Sequence, residues 1–258
     1  MSRIHPTAVI DNAAELSEDV EIGPYSVIGR GVHIGKGTRV QSHVVIQGCT
    51  SIGEANTFFP FATVGTIPQD LKYKGEPSTL VIGSHNTIRE YVSLNPGTEG
   101  GGMVTRVGNH NLLMMHCHIA HDCIIGDWNI VANGATFGGH VVIADRVIVG
   151  GLVGIHQFVK IGSGAILGAG SMVSKDVPPF CNATGDRAKL HGLNVEGLRR
   201  CGFEKGKIES LRQAYRIIFQ SKLRTKDALE EVRRVVPPSP EVDQLVSFVA
   251  NSTRGVCR

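Results

Sequence analysis

Aliphatic residues recur every six positions along the first two thirds of the chain. Counted from Ile4, the steps fall on Ile10, Leu16, Ile22, Ile28, Ile34, Val40, Ile46, Ile52, Phe58 and Val64. The stretch "TIPQDLKYKGEPSTLV" interrupts this series without changing its phase, and it resumes at Ile82, Ile88 and Leu94. A second interruption, "NPGTEGGGMVTR", shifts the phase by one residue. The series then runs through Val107, Leu113, Ile119, Ile125, Val131, Phe137, Ile143, Val149, Ile155, Ile161, Leu167 and Val173. Neither the helical period of 3.6 nor the strand period of 2 produces such a run. An inward aliphatic every six residues, often followed by glycine, predicts a parallel β-helix with three hexads to a triangular coil. A step of 18 residues then returns to the same column, about 4.8 Å along the axis. One coil cannot bury its own aliphatic ladder, so the coils have to stack.

The period ends near Val173, where "SKDVPPF" brings in Pro178 and Pro179. From about residue 187 the spacing turns helical: Ile208, Leu211, Tyr215, Ile218 and Phe219 share one apolar face. "PPSPE" separates the last two helical stretches. The expectation is a mainly β chain. A β-helix occupies residues 1–186, with loop insertions near 65–81 and 95–106, and a small α-helical domain occupies 187–258.

The column rule changes how the decapeptide "MMHCHIAHDC", residues 114–123, is read. Linearly, His116, Cys117, His118, His121 and Cys123 resemble a metal box. At 18 residues per coil, His121, Gly139 and Gln157 form one column, with His140 and His156 adjoining it and His118 on the same coil as His121. Histidine beside a carboxylate, His121 with Asp122, is a candidate general base. A glycine lets a backbone N–H approach a developing oxyanion. This equipment suits acyl transfer to an alcohol. No nucleophile elbow is present, so direct attack by the acceptor hydroxyl is simpler than a covalent intermediate. Cys117 and Cys123 read as small packing groups, and His116 reads as peripheral.

Composition narrows the classes. A chain of 258 residues with 41% hydrophobic content can bury a large core, and a net charge of +3 is far from a nucleic-acid signature. The six cysteines include no Cys-x-x-Cys pair, so reduced thiols and a cytoplasmic setting are expected. The N-terminus lacks the apolar core of a secretory signal, and no stretch approaches the roughly 20 apolar residues of a membrane span.

Beyond the repeat, "QDLKYKGEPSTLVIG", "HIAHDC", "GGHVVI", "GIHQFVKIG" and "NVEGLRR" together resemble the UDP-N-acetylglucosamine O-acyltransferase family over essentially the whole chain. The resemblance implies a left-handed parallel β-helix, an exception to the right-handed crossover rule. It also implies a homotrimer with active sites between neighbouring prisms. The implied reaction moves an (R)-3-hydroxyacyl group from acyl carrier protein to the 3-hydroxyl of UDP-N-acetylglucosamine, opening lipid A biosynthesis, with no cofactor and no metal. By motif, His121 matches the general base, Asp122 its orienting partner and Gly139 the oxyanion donor. Asp70 and Lys72 match residues reaching the site from the first insertion. His118, His140, His156 and Gln157 match substrate contacts, and Asn194, Glu196 and Arg200 match the nucleotide end of the pocket. Asn95, also matched as substrate-binding, stands in "LNPGT" where the family often has a histidine, and Cys201 stands where a second arginine often follows Arg200. Ala169 falls where residue size is thought to set acyl-chain length, and its small side chain predicts a fairly long chain.

Competing readings are a zinc-dependent hydratase on the same scaffold, a non-catalytic hexapeptide scaffold, and the N-acyltransferase acting later on the same pathway. Zinc content tests the first. The His cluster and the Asp70/Lys72 loop argue against the second. The third is expected to carry a distinct N-terminal domain, whereas hexads here begin at Ile4. Arg199, Arg200, Lys205 and Lys207 form either a solvated basic face or a dock for the acidic carrier protein.

Overall fold

Each hexad resolves into a two-residue strand and a four-residue corner. His118–Ile119, for example, is followed by the corner 120–123 and then by Ile124–Ile125. The second residue of nearly every hexad strand points inward and is buried; within the repeats the exceptions lie in the first coil, at the open end. The structure is a computed structural model that describes residues 3–258. Its strands form three sheets of eleven, nine and eight strands, which are the faces of a left-handed parallel β-helix. On the nine-stranded second face Ile119 pairs with Phe137, Phe137 with Ile155 and Ile155 with Val173, each 18 residues on.

The two insertions leave the prism at one vertex. The first lies between Thr63–Val64 on the second face and Thr79–Ile82 on the third, and the second lies between Ser93–Leu94 and Val104–Val107. Strands must keep register with the coils above and below, so extra residues can bulge only at a corner. Both loops therefore stand beneath the corner 120–123, which joins the same two faces.

The vertex between the third and first faces is held differently. Asn56, Asn86, Asn111 and Asn129 are buried there. Each of the lower three amide oxygens accepts the backbone N–H of the next asparagine up, at 2.8–2.9 Å. Asn129 Oδ1 accepts from Val147 N–H at 2.7 Å. This ladder pairs N–H groups that the tight corner would otherwise leave buried without an acceptor.

Beyond the repeats, Cys181–Thr184 pairs in parallel with Ile166–Leu167 and antiparallel with Lys189–Leu193. Four α-helices follow: α1 (Val195–Arg200), α2 (Lys205–Tyr215), which runs on as a π-helical turn Arg216–Gln220, α3 (Thr225–Val235) and α4 (Pro240–Ala250). Asn194 caps α1 by accepting from Gly197 N–H at 2.9 Å. Ser239 caps α4 ahead of a first-turn proline, a favoured N-terminal arrangement. The helices share a core of their own, including Leu198, Leu211, Ala214, Ile218, Val232 and Leu245, closed by Phe180.

The last residues return to the prism. Buried Asp176 accepts Ser252 Oγ–H at 2.7 Å and Lys160 N–H at 2.8 Å through its carboxylate. Its backbone pairs with Gly255 O and Cys257 N at 3.0 and 2.8 Å. Cys257 is packed in the prism core. Among the described residues no helix is long and apolar enough to cross a membrane.

Candidate active site

A cleft of about 540 Å³ opens on the second face beside its vertex with the third. His118, Thr136, Gly154 and Met172, the outward residues of four successive strands, form its floor. His121, Gly139 and Gln157, the predicted column, line its vertex side together with His156 and Asn95. The 18-residue rule therefore brings these groups together as expected.

His121 and Asp122 form the centre. His121 Nδ1 lies 2.7 Å from Asp122 Oδ2, and both residues are buried. Asp122 also accepts Thr98 N–H at 2.9 Å and Thr98 Oγ–H at 2.6 Å, while its own N–H donates to Thr105 Oγ1 at 2.7 Å. Several donors thus converge on a carboxylate shielded from water, which satisfies it and fixes its direction. With Nδ1–H donating to Asp122, His121 Nε2 keeps its lone pair. Asp70 Oδ2, on the first insertion, lies 3.9 Å from that nitrogen.

Gly139 abuts the imidazole. A β-carbon built there would lie 2.6 Å from His121 Nε2 and closer still to Cε1, so no side chain fits while the ring holds its place. The coil ladder uses the N–H of Gly138 and of His140, whereas that of Gly139 has no acceptor among the described residues. A free backbone donor therefore sits beside the candidate base. Gly101, in the 3₁₀ turn Glu99–Gly101 of the second insertion, closes the other side, where a β-carbon would overlap the Asp122 carboxyl.

The other histidines separate by environment. His118 Nδ1 is 2.7 Å from Ser93 Oγ, and burial, with a smaller effect from His121, holds its pKa below the usual value. His140 packs edge-on to His121 at 5.1 Å and stacks on Phe158 at 4.3 Å. Burial also lowers its pKa, partly offset by Asp122. Its Nε2 is 3.9 Å from Asp122 Oδ2, so it faces the carboxylate from outside the cleft lining. His116 stacks on Tyr91 at a different vertex, that of the first and second faces. Burial pushes the Cys117 thiol up to about 11 and the Cys123 thiol up to about 12, values of inert packing groups.

His121, Asp122 and His140 are the one group of described residues whose donor atoms could surround a metal ion. The 2.7 Å between Nδ1 and Oδ2 is a hydrogen-bond separation. Two ligands of one tetrahedral zinc would stand roughly 3.3 Å apart.

The remaining predicted residues are placed as follows. Asp70 accepts Lys72 N–H at 3.0 Å in a tight turn of the first insertion, and Lys72 is exposed. Asn95 Nδ2 donates to Thr66 O at 2.9 Å and to Ile67 O at 3.3 Å, which ties the first insertion down, while its Oδ1 is buried without a partner. Asn194 is engaged as the α1 cap and donates to Gly164 O at 3.0 Å. Glu196 and Arg200 form an exposed pair one helical turn apart, 3.4 Å between Oε1 and Nε. None of these last three lines the cleft of its own chain. Ala169 is exposed at the vertex of the first and second faces, three residues before Met172 of the cleft floor.

The hexapeptide transferase repeat model matches residues 13–48 and 105–139, and the model for domain 2 of UDP-N-acetylglucosamine O-acyltransferase matches 176–257. The acyl-[acyl-carrier-protein]–UDP-N-acetylglucosamine O-acyltransferase of Thermodesulfovibrio yellowstonii is 49% identical over 258 residues, covering all of both chains. The chain belongs to this acyltransferase family. The Myxococcus xanthus member is 50% identical, again over the full length of both. A solved structure of LpxA from Acinetobacter baumannii superposes on this acyltransferase with a TM-score of 0.97, 49% identity and 99% of each chain covered. The Bacteroides fragilis enzyme gives 0.96 at 44% identity, covering 98% of this acyltransferase and 99% of that chain.

The linear motifs did not reveal Thr98, Thr105, Ser93 or Gly101. Ser93 precedes His118 by 25 residues rather than 18, because the second insertion adds seven. Subtracting that insertion from the count would have found it.

Proposed function

We propose that this acyltransferase moves an (R)-3-hydroxyacyl chain from acyl carrier protein to the 3-hydroxyl of UDP-N-acetylglucosamine, the first step of lipid A biosynthesis. The observation that carries the reading is the buried His121–Asp122 pair with a free Gly139 N–H beside it. His121 Nε2 takes the proton of the attacking hydroxyl as its oxygen bonds to the thioester carbon. The developing oxyanion is met by Gly139 N–H. The carbon–sulfur bond then breaks, and the proton on His121 passes to the departing thiolate. Asp122 steadies the imidazolium formed between the two transfers.

His118, His156, Gln157 and Asn95 contact the acceptor sugar and its phosphates in the cleft, with Asp70 and Lys72 reaching in from the first insertion. The chain divides into the β-helix of 1–186, whose first two residues lie outside those described, and the helical unit of 187–258. It works in the cytoplasm as a homotrimer. In that assembly Asn194, Glu196 and Arg200, which lie off the cleft of their own chain, serve the nucleotide end of a site formed between copies. The chain needs no metal and no cofactor.

The test is acyl transfer by the purified protein from a panel of 3-hydroxyacyl carrier proteins to UDP-N-acetylglucosamine and to its 3-amino counterpart. His121→Ala should lower the rate by about 10²–10⁴-fold. Undiminished transfer by that variant would remove His121 as the base.

A further inference from the structure

The C-terminal strap delivers a cation to the edge of the cleft. Ser252, Gly255 and Cys257 are fastened to Asp176. Arg254 therefore lies over the last coil, where its Nε donates to Ser174 O at 2.9 Å. One terminal nitrogen of its guanidinium is 2.7 Å from His156 Nδ1, across 98 residues of sequence. Both Ser174 and His156 line the cleft.

A guanidinium has only N–H donors, so Nδ1 of His156 must accept. Its other neighbour, Gln157 O at 3.2 Å, would need Nδ1 to donate. The two arrangements exclude each other, and the shorter, charge-assisted bond prevails. His156 is then a neutral imidazole with its proton on Nε2. We infer that Arg254 is a positioning residue of the acyltransferase site, holding His156 as an Nε2–H donor for an acceptor oxygen of the nucleotide sugar. This rests on the reading of the cleft given above. It assigns the last stretch of the chain, fastened on both sides of Arg254 to Asp176, a part in substrate binding. The anchor on Asp176 uses backbone groups and Ser252, so substituting Arg254 leaves the fastening intact.

The experiment pairs Arg254→Gln, which keeps an N–H donor, with Arg254→Met, which keeps length and loses all donors. Nitrogen NMR of histidine-labelled protein reads the tautomer directly, with the His156 signal assigned by its loss in His156→Gln. The wild type should show an unprotonated, hydrogen-bonded Nδ1 and a protonated Nε2. Arg254→Met should lose that signature and raise KM for the nucleotide sugar about tenfold, the worth of one well-made hydrogen bond, with kcat changed less. Arg254→Gln should retain the tautomer and most of the affinity, with an unchanged Tm for both variants. A protonated Nδ1 in the wild type overturns the inference, as does a Met variant matching wild type in both spectrum and KM. Should the wild type transfer no acyl chain at all, the functional reading fails, while the spectrum still decides the role of Arg254.

Discussion

Gly139→Ala isolates the steric demand at the centre of the site. Ordinary van der Waals contact begins at 3.4 Å, and the added methyl carbon would stand 2.6 Å from His121 Nε2. The ring must therefore retreat by about 0.8 Å at that nitrogen and further at Cε1. Retreat is opposed by the 2.7 Å bond to Asp122, whose carboxylate is itself held by Thr98 and backed by Gly101. A base displaced by roughly 1 Å costs about 10²-fold in rate, near 2.7 kcal/mol of barrier. The backbone raises no objection, since Gly139 does not occupy the left-handed region. Crowding a held ring should cost about 1–3 kcal/mol of stability, offset in small part by the reduced freedom of the unfolded chain. Steady-state transfer alongside a thermal melt is the assay, with a large loss of kcat and only a modest fall in Tm as the expected pattern. Wild-type kcat would refute the crowding argument. A fall in Tm with kcat intact would mean that Gly139 serves the coil rather than the base.

Thr98→Val removes the hydroxyl bonded to Asp122 and should cost about 2 kcal/mol of stability, a Tm drop of roughly 4–8 °C, together with a loss of kcat; an unchanged melt would show that the bond contributes nothing. His118 and His140 titrate below the ordinary 6.5 once folded. As pH falls through the window beneath 6.5 the unfolded chain therefore binds more protons than the folded one, and stability declines. Tm measured from pH 7 to 5 should fall more steeply for the wild type than for His118→Gln, and equal slopes would refute the assignment to His118. Ala169→Met should shift donor preference towards shorter acyl chains in competition assays, and an unaltered preference would sink the proposed ruler.

The period-six ladder made the prism legible because one inward residue per hexad is all that a coil requires. The His121–Gly139–Gln157 column followed from coil length alone. What stayed hidden was whatever crosses an insertion. Thr98 and Gly101 reach Asp122 from a loop whose path no periodicity describes, and Arg254 meets His156 only because the tail doubles back on the prism. Asn194 differs in another way. Its place in "NVEGLRR" points to a ligand, and in its own chain the side chain caps α1, a contact no motif announces.

The open lower end of the prism bears on how the enzyme fails. Among the described residues the first coil has no neighbour beneath it, and its inward Ile4 stands 47% exposed. In a stack held by nearest-neighbour contacts, melting starts where a partner is missing and advances like a zipper. The strand bearing His118 is sixth on its face, so five rungs, roughly 24 Å, separate that front from the catalytic corner. The opposite end is clamped by the helical unit and the strap on Asp176. Gentle heating should therefore expose the first coils to proteases and hydrogen exchange well before turnover declines, so that a nicked or frayed population still works.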